Sequence, residues 1–228
     1  MVRRTKPEAQ ATRDHLLDTA EQVILGRGLA GCALQDIAQA AGLTRGAIYW
    51  HFADKLALFN AIMDRVDLPL EQAVAAATRL LDEPAGAGPQ PEPLSVLRQL
   101  ALAPFEMMQA DPRARRAFTI LLHRTEFVGD LAPLAKRQAD AIQAFLDLLT
   151  RLFQAVARPA TPASGAGVAA GLAQGLDART GATALVAIID GLLRLGTLPV
   201  AAGANPPVLP SAVAPAIDAL LRGLCGPA

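Results

Sequence analysis

Gly42 stands between two apolar repeats, each only about two turns long, and this spacing limits what the surrounding chain can build. Leu34, Ile37, Ala38 and Ala41 recur at intervals of three and four, which lines one face of a helix. Gly42 ends that repeat and can take the positive φ of a tight turn. Thr44 then offers a side-chain oxygen to cap a helix over residues 45–51. Two short helices joined by a three-residue turn have the spacing of a helix-turn-helix. Upstream, Leu16, Leu17, Ala20, Val23 and Ile24 form another helical stripe, which Gly26-Arg27-Gly28 stops near residue 26. Residues 1–54 are therefore expected to form a three-helix head, with 55–228 as a larger helical body.

At about 100° per residue, Ile48 and Phe52 share the face of the third helix that packs on Ile37 and Leu43, while Arg45 and Tyr49 share another that points outward. An Arg in the first turn of a helix laid in a major groove can fork onto guanine O6 and N7. Gly46 beside it lets the backbone come close. Tyr49, His51 and Lys55 lie where they can hold phosphate oxygens, setting position more than sequence. An upstream arm adds Arg3, Arg4, Lys6 and Arg13 against Glu8, for further phosphate or minor-groove contacts. On spacing alone, a helical hairpin with Arg45 and Tyr49 merely solvated fits as well. Overall charge does not separate the two, because 21 basic and 21 acidic residues cancel. That balance excludes a globally basic nucleic-acid coat or a polybasic membrane binder, so any DNA binding must rest on local charge.

The run IAQAAGLTRGAIYWHFADKLALF strongly resembles the helix-turn-helix of the TetR family of transcriptional regulators. RRTKPEAQATRDHLLDTA, PLSVLR and HRTEFVGDL resemble the AcrR-like branch, whose members repress multidrug efflux pumps. The resemblance is specific over residues 1–65, extends over about 94–150, and beyond that lies only in helix pattern. It implies that Arg45, Gly46, Tyr49, His51 and Lys55, with Thr44 at the cap, occupy DNA-contact positions. One departure stands out: where the second helix usually begins with Thr or Ser, this chain has Cys32-Ala33. Ala can neither cap a helix nor offer a hydroxyl to phosphate, so backbone N–H groups must carry that contact.

The body reads as all-α, with no useful strand alternation. Asp54 is expected to cap a fourth helix carrying Leu58, Phe59, Ile62, Met63, Val66 and Leu70, interrupted and bent at Pro69. Further helices are expected at about 94–109, 113–127, 133–156, 181–198 and 211–224, with Pro/Gly/Ala-rich loops at 83–93 and 158–175. Two polar misfits mark a candidate ligand pocket: Asp67 at the edge of the fourth stripe, and Gln138 on the stripe of Leu134, Ala141, Ile142, Phe145, Leu148, Leu149 and Leu152. A carboxylate and an amide among Ala and Leu suit an amphiphilic cation. Lining candidates are Met63, Leu70, Phe105, Met108, Phe118, Leu122, Ile142 and Phe145. The pattern alone equally allows Asp67 to reach solvent, Gln138 to bond a carbonyl, and the Met and Phe residues to be plain core. The resemblance favours the pocket, and a ligand pushing the helix of Asp67 would then move the head.

Leu185, Ile188, Ile189, Leu192 and Leu193, then Val213, Ile217, Leu220, Leu221 and Leu224, form two last stripes, with Gly191 and Gly196 permitting close approach. A single reading helix spans too few base pairs for operator selectivity, so these helices are expected to make a four-helix homodimer seam, as in TetR-like proteins. His123 and Glu126 form an H-x-x-E on one helix face, too few ligands for a metal. Cys32 and Cys225 fit packing in a reducing compartment. No catalytic triad, P-loop or dinucleotide glycine pattern occurs, so neither catalysis nor a cofactor is expected. The N-terminus carries charges without an apolar core of a signal peptide, and a cytoplasmic location is expected. The resulting expectation is a repressor of a multidrug efflux operon, released from a palindromic operator by hydrophobic or cationic drugs. The alternatives are a TetR-like regulator of lipid or catabolic genes, or a helical binding protein without DNA function.

Overall fold

The computed structural model describes residues 6–82, 92–157, 172–198 and 210–225, and all regular structure among them is helical. The elements are α1 (Lys6–Arg27), α2 (Leu34–Ala40), α3 (Arg45–His51), α4 (Lys55–Asp82), α5 (Pro93–Ala110), α6 (Pro112–His123), a 3-10 turn (Gly129–Leu131), α7 (Ala132–Ala157), α8 (Ala178–Gly196) and α9 (Pro210–Cys225). The all-α expectation holds. The loops expected at 83–93 and 158–175 lie largely outside the described residues, apart from Glu92, Pro93 at the start of α5, and a turn at 172–177.

The chain forms two compact units: residues 1–68 with 110–136, and residues 69–109 with 137–228. This division falls elsewhere than the 54/55 boundary, which separates the functions assigned to head and body.

In the first unit, α2 packs on α1 and α3, and α6 packs on α1. Leu16, Leu17, Ala20 and Ile24 of α1 are buried, as are Ile37, Ile48, Phe52, Leu58 and Ile62 from α2 to α4. Local chemistry positions the short helices. Gly42 has φ +67°, the left-handed conformation that favours glycine, and the N–H of Leu43 bonds the carbonyl of Ala38 across the turn. Thr44 Oγ1 accepts from the N–H of Ala47 at 3.2 Å, capping α3. Asp54 Oδ1 accepts from the N–H of Ala57 at 2.7 Å, at the start of α4. Ala33, at the N-cap of α2, has no side-chain acceptor; its N–H donates to Asp36 Oδ2 at 2.9 Å, the reciprocal half of a capping box.

Two expectations of helix extent are corrected. Pro69 does not interrupt α4, which runs as one helix to Asp82; a proline within a helix removes one N–H, and the turns on either side keep their own bonds. Conversely α6 stops at His123, four residues short of expectation. There the N–H of Arg124 and the hydroxyl of Thr125 both donate to the carbonyl of Ile120, and Gly129 turns the chain at φ +56°. Glu126 therefore does not share a helix face with His123.

In the second unit the buried side chains are almost all apolar, including Leu97, Phe105, Leu149, Leu152, Phe153, Leu185, Ile189 and Ile217. α8 packs on α9. Gly181 brings α8 close to α7, where a Cβ would stand 3.4 Å from the ring of Phe153. Its ion pairs include the exposed ones Arg179–Asp147, Arg98–Asp218, Arg151–Asp82 and Arg194–Asp190. No helix among the described residues is long and apolar enough to cross a membrane.

Candidate nucleic-acid interface

Ile48 and Phe52 anchor α3 from beneath, with 0% and 2% exposure, so its opposite face is free. Arg45, Gly46 and Tyr49 are exposed there. The guanidinium carbon of Arg45 lies 5.5 Å from the centre of the Tyr49 ring, one turn along, a cation–π pair. A cation is thus held out on an aromatic shelf at the start of a capped helix. A Cβ at Gly46 would meet nothing closer than Thr44 Oγ1 at 4.0 Å, so the fold itself does not require glycine there.

Trp50 is 72% exposed, more than any other large apolar side chain among the described residues, and its ring meets His51 edge-on at 4.5 Å. The sequence reading passed over Trp50. Its signal was available: position 50 falls on neither the Ile48/Phe52 face nor a neighbouring stripe, so this aromatic has no core to enter. His51 is half-buried. Lys55 is half-buried too, and its ammonium donates to the carbonyls of Leu29 and Ala30 at 3.2 and 3.3 Å. Of the basic arm, Arg3 and Arg4 lie outside the described residues. Lys6 is exposed as the first residue of α1. Arg13 is half-buried, its guanidinium 5.3 Å from the centre of the Phe52 ring, so it packs on the head.

The head is held to its surroundings by polar contacts. His15 Nε2 pairs with the carbonyl of Ala41 at 3.1 Å, joining α1 to the end of α2. The Leu29 peptide is bound on both sides, its N–H donating to the carbonyl of Arg124 at 2.8 Å and its carbonyl accepting from Lys55. Cys32 is buried with its Sγ 3.5 Å from the same carbonyl; burial pushes its thiol pKa up, which suits packing over reactivity. Burial likewise raises the thiol pKa of Cys225.

The residues nominated for a ligand are divided between the units. Met63 and Phe118 are buried and Leu122 half-buried in the first. In the second, Phe105 is buried, while Leu70, Met108, Gln138 and Phe145 are half-buried. The side chain of Asp67 lies outside the described ones. The stripe expected along α7 is buried only at Leu134 and from Leu148 onward; Ala141 and Ile142 are exposed, Ile142 by 45%. An open cleft of about 550 Å³ in the first unit is lined instead by Asp18, Thr19, Gln22, Val23, Ala40, Arg113 and Arg116, none of them nominated from the sequence.

Residues 16–62 match the family described as bacterial regulatory proteins, tetR family. The chain is 37% identical to the transcriptional regulator TtgR of Pseudomonas putida, over 85% of this chain and 84% of that one. It is 41% identical to the transcriptional repressor BepR of Brucella suis, over 65% of this chain and 69% of that protein. Among solved structures it resembles NalD, described as the secondary repressor of the MexAB-OprM multidrug efflux pump in Pseudomonas aeruginosa. The TM-score is 0.73 and the identity 30%, over 95% of this chain and 98% of NalD.

Proposed function

Because this chain belongs to the TetR family of bacterial regulatory proteins, we propose that it is a homodimeric repressor of an efflux-pump operon, occupying a palindromic operator until an amphiphilic or cationic compound releases it. The observation that carries the reading is Arg45 laid over Tyr49 on the exposed face of α3, directly after a satisfied Thr44 cap. That is a guanidinium fork presented for a guanine edge. Exposed Trp50 and Tyr49, with half-buried His51, flank it for phosphate contacts. Lys55 has three N–H donors, of which two serve the carbonyls of Leu29 and Ala30, leaving one for a phosphate. Relatives named as repressors, and NalD's described role at a multidrug efflux pump, supply the class of target gene.

Dimerisation is assigned to α8 and α9. Ile188 and Leu192 are only half-buried, Leu195 is exposed, and a Cβ at Gly191 or Gly196 would meet nothing within 4 Å. The exposed apolar surface and the open space beside both glycines suit a second copy of the pair.

The test selects duplexes from a random pool with the parent protein, then compares affinity for the selected and an unrelated duplex. Arg45→Ala is expected to lower the preference about 5- to 150-fold, from the roughly 1–3 kcal/mol of a bidentate guanine contact. Equal loss on both duplexes would refute the assigned role. For the ligand response, a cationic dye such as rhodamine 6G is expected to release the parent from the selected duplex and to release Asp67→Ala less readily.

A further inference from the structure

We infer that Glu21, buried and remote in sequence from the reading helix, is the positioning residue that fixes how the head is aimed; the inference rests on the DNA-reading function proposed above. Glu21 is 0% exposed, the only charged residue buried among the described ones. Its Oε2 accepts from Arg116 Nε of α6 at 2.7 Å, and its Oε1 accepts from Arg65 Nη1 of α4. The same Arg65 Nη1 donates to Asp18 Oδ1 at 2.8 Å, and Asp18 Oδ2 accepts from Arg113 Nη2 at 3.2 Å. The result is an alternating chain, Arg113–Asp18–Arg65–Glu21–Arg116, that closes three helices of one unit on each other.

Spacing gives this chain its directional meaning. Asp18 and Glu21 are three apart on α1, and Arg113 and Arg116 are three apart on α6, paired in the same order. Two rungs at matching spacing set the register of α6 along α1, while Arg65, shared between both carboxylates, sets the rotation of α1 about its own axis. The hydrophobic driving force is itself non-directional, and paired charges add direction and register to it. A buried ion pair is a poor source of stability compared with apolar residues of the same volume, so its contribution here is to geometry. The far end of α6 is fastened independently, through the carbonyl of Arg124 on the N–H of Leu29. α1 in turn holds the helix-turn-helix through His15 on Ala41 and Arg13 on Phe52. Reading base edges requires the presented side chains to be placed within a fraction of an ångström. Binding of unrelated duplex depends on charge alone. Loosening Glu21 therefore costs discrimination and spares the electrostatic component.

The test uses the full chain and a duplex selected by the parent from a random pool. Glu21→Gln keeps the side chain's shape and removes its charge. Affinity for the selected duplex is expected to fall at least tenfold, while affinity for an unrelated duplex stays within about twofold. Asp18→Asn, at the outer and more exposed rung, is expected to change the same ratio in the same sense by a few-fold, and it serves if Glu21→Gln does not fold. Leu17→Ala, a plain core truncation, is the control: it lowers the urea midpoint without changing the ratio. An unchanged ratio in the carboxylate variants, or parallel loss on both duplexes, overturns the inference and makes the cluster a structural staple only. If the parent selects no duplex, the DNA-reading function itself fails and this inference with it.

Discussion

The two units solve the same packing problem by different means. In the first, α1, α4 and α6 meet around a buried carboxylate and share five alternating charges. In the second, α5, α7, α8 and α9 bury leucine, isoleucine and phenylalanine, and the ion pairs stay at the surface. Burial is enough where an element only has to be covered. A buried carboxylate held between guanidinium groups of two other helices also fixes direction and register, and it occurs in the unit that carries the presented face of α3.

The largest effect that could break this contrast belongs to the apolar unit. Phe153→Ala, which empties a fully buried ring site against Gly181, is expected to cost about 4 kcal/mol in urea unfolding. A loss near 1 kcal/mol would show that the second unit does not depend on burial as described. Next comes Arg116→Met, which preserves most of the volume and leaves Glu21 with Arg65 as its remaining partner; about 3 kcal/mol is expected. If Arg116→Met matches the parent's stability, the first unit is held by burial as well and the distinction collapses. Thr44→Ala removes the cap of α3 and is expected to cost about 1 kcal/mol, read as a shift in thermal midpoint. Arg179→Ala, at a surface pair in the second unit, is expected to change stability by no more than about 0.5 kcal/mol.

Titration sharpens the same contrast by the smallest amount. Hydrogen bonds from the N–H and hydroxyl of Thr180 hold the Asp177 carboxyl below the usual carboxylate range, at the N-cap of α8. A carboxyl whose folded pKa is depressed contributes its stabilisation above its unfolded pKa and loses it as pH falls through the folded value. Asp177→Asn is therefore expected to lower the urea midpoint slightly at neutral pH, and the gap to the parent should narrow on acidification to about pH 3. A gap that does not change with pH would mean that shape alone, and not charge, caps α8.

What could be read from the sequence follows from the range of the forces involved. The bounds of α3, the glycine turn before it, its cap and the outward pair Arg45 and Tyr49 are set by neighbours within four residues, and all are present in the structure. The end of α6 was misjudged because Phe127 falls seven residues after Ile120, two helical turns on, while the decision belongs to Thr125 and to Gly129. The stripe along α7 has helical periodicity throughout, but periodicity cannot say whether another element covers it, and Ile142 stays exposed. The cluster around Glu21 was invisible for the same reason. Asp18 and Glu21 read as an ordinary polar face until Arg65, 44 residues beyond Glu21, and Arg116, 95 residues beyond it, are brought alongside.

The shelf that Tyr49 provides for Arg45 also bears on the cost of docking. A long guanidinium side chain left free in solvent samples many rotamers and loses that freedom when it is immobilised on a surface. Here part of the loss is already incurred when the helix forms, one turn away and within the same seven residues. Tyr49→Phe keeps the aromatic face and should preserve this preordering; Tyr49→Leu removes it and leaves Arg45 to find its pose only on contact, with an entropic penalty at each encounter.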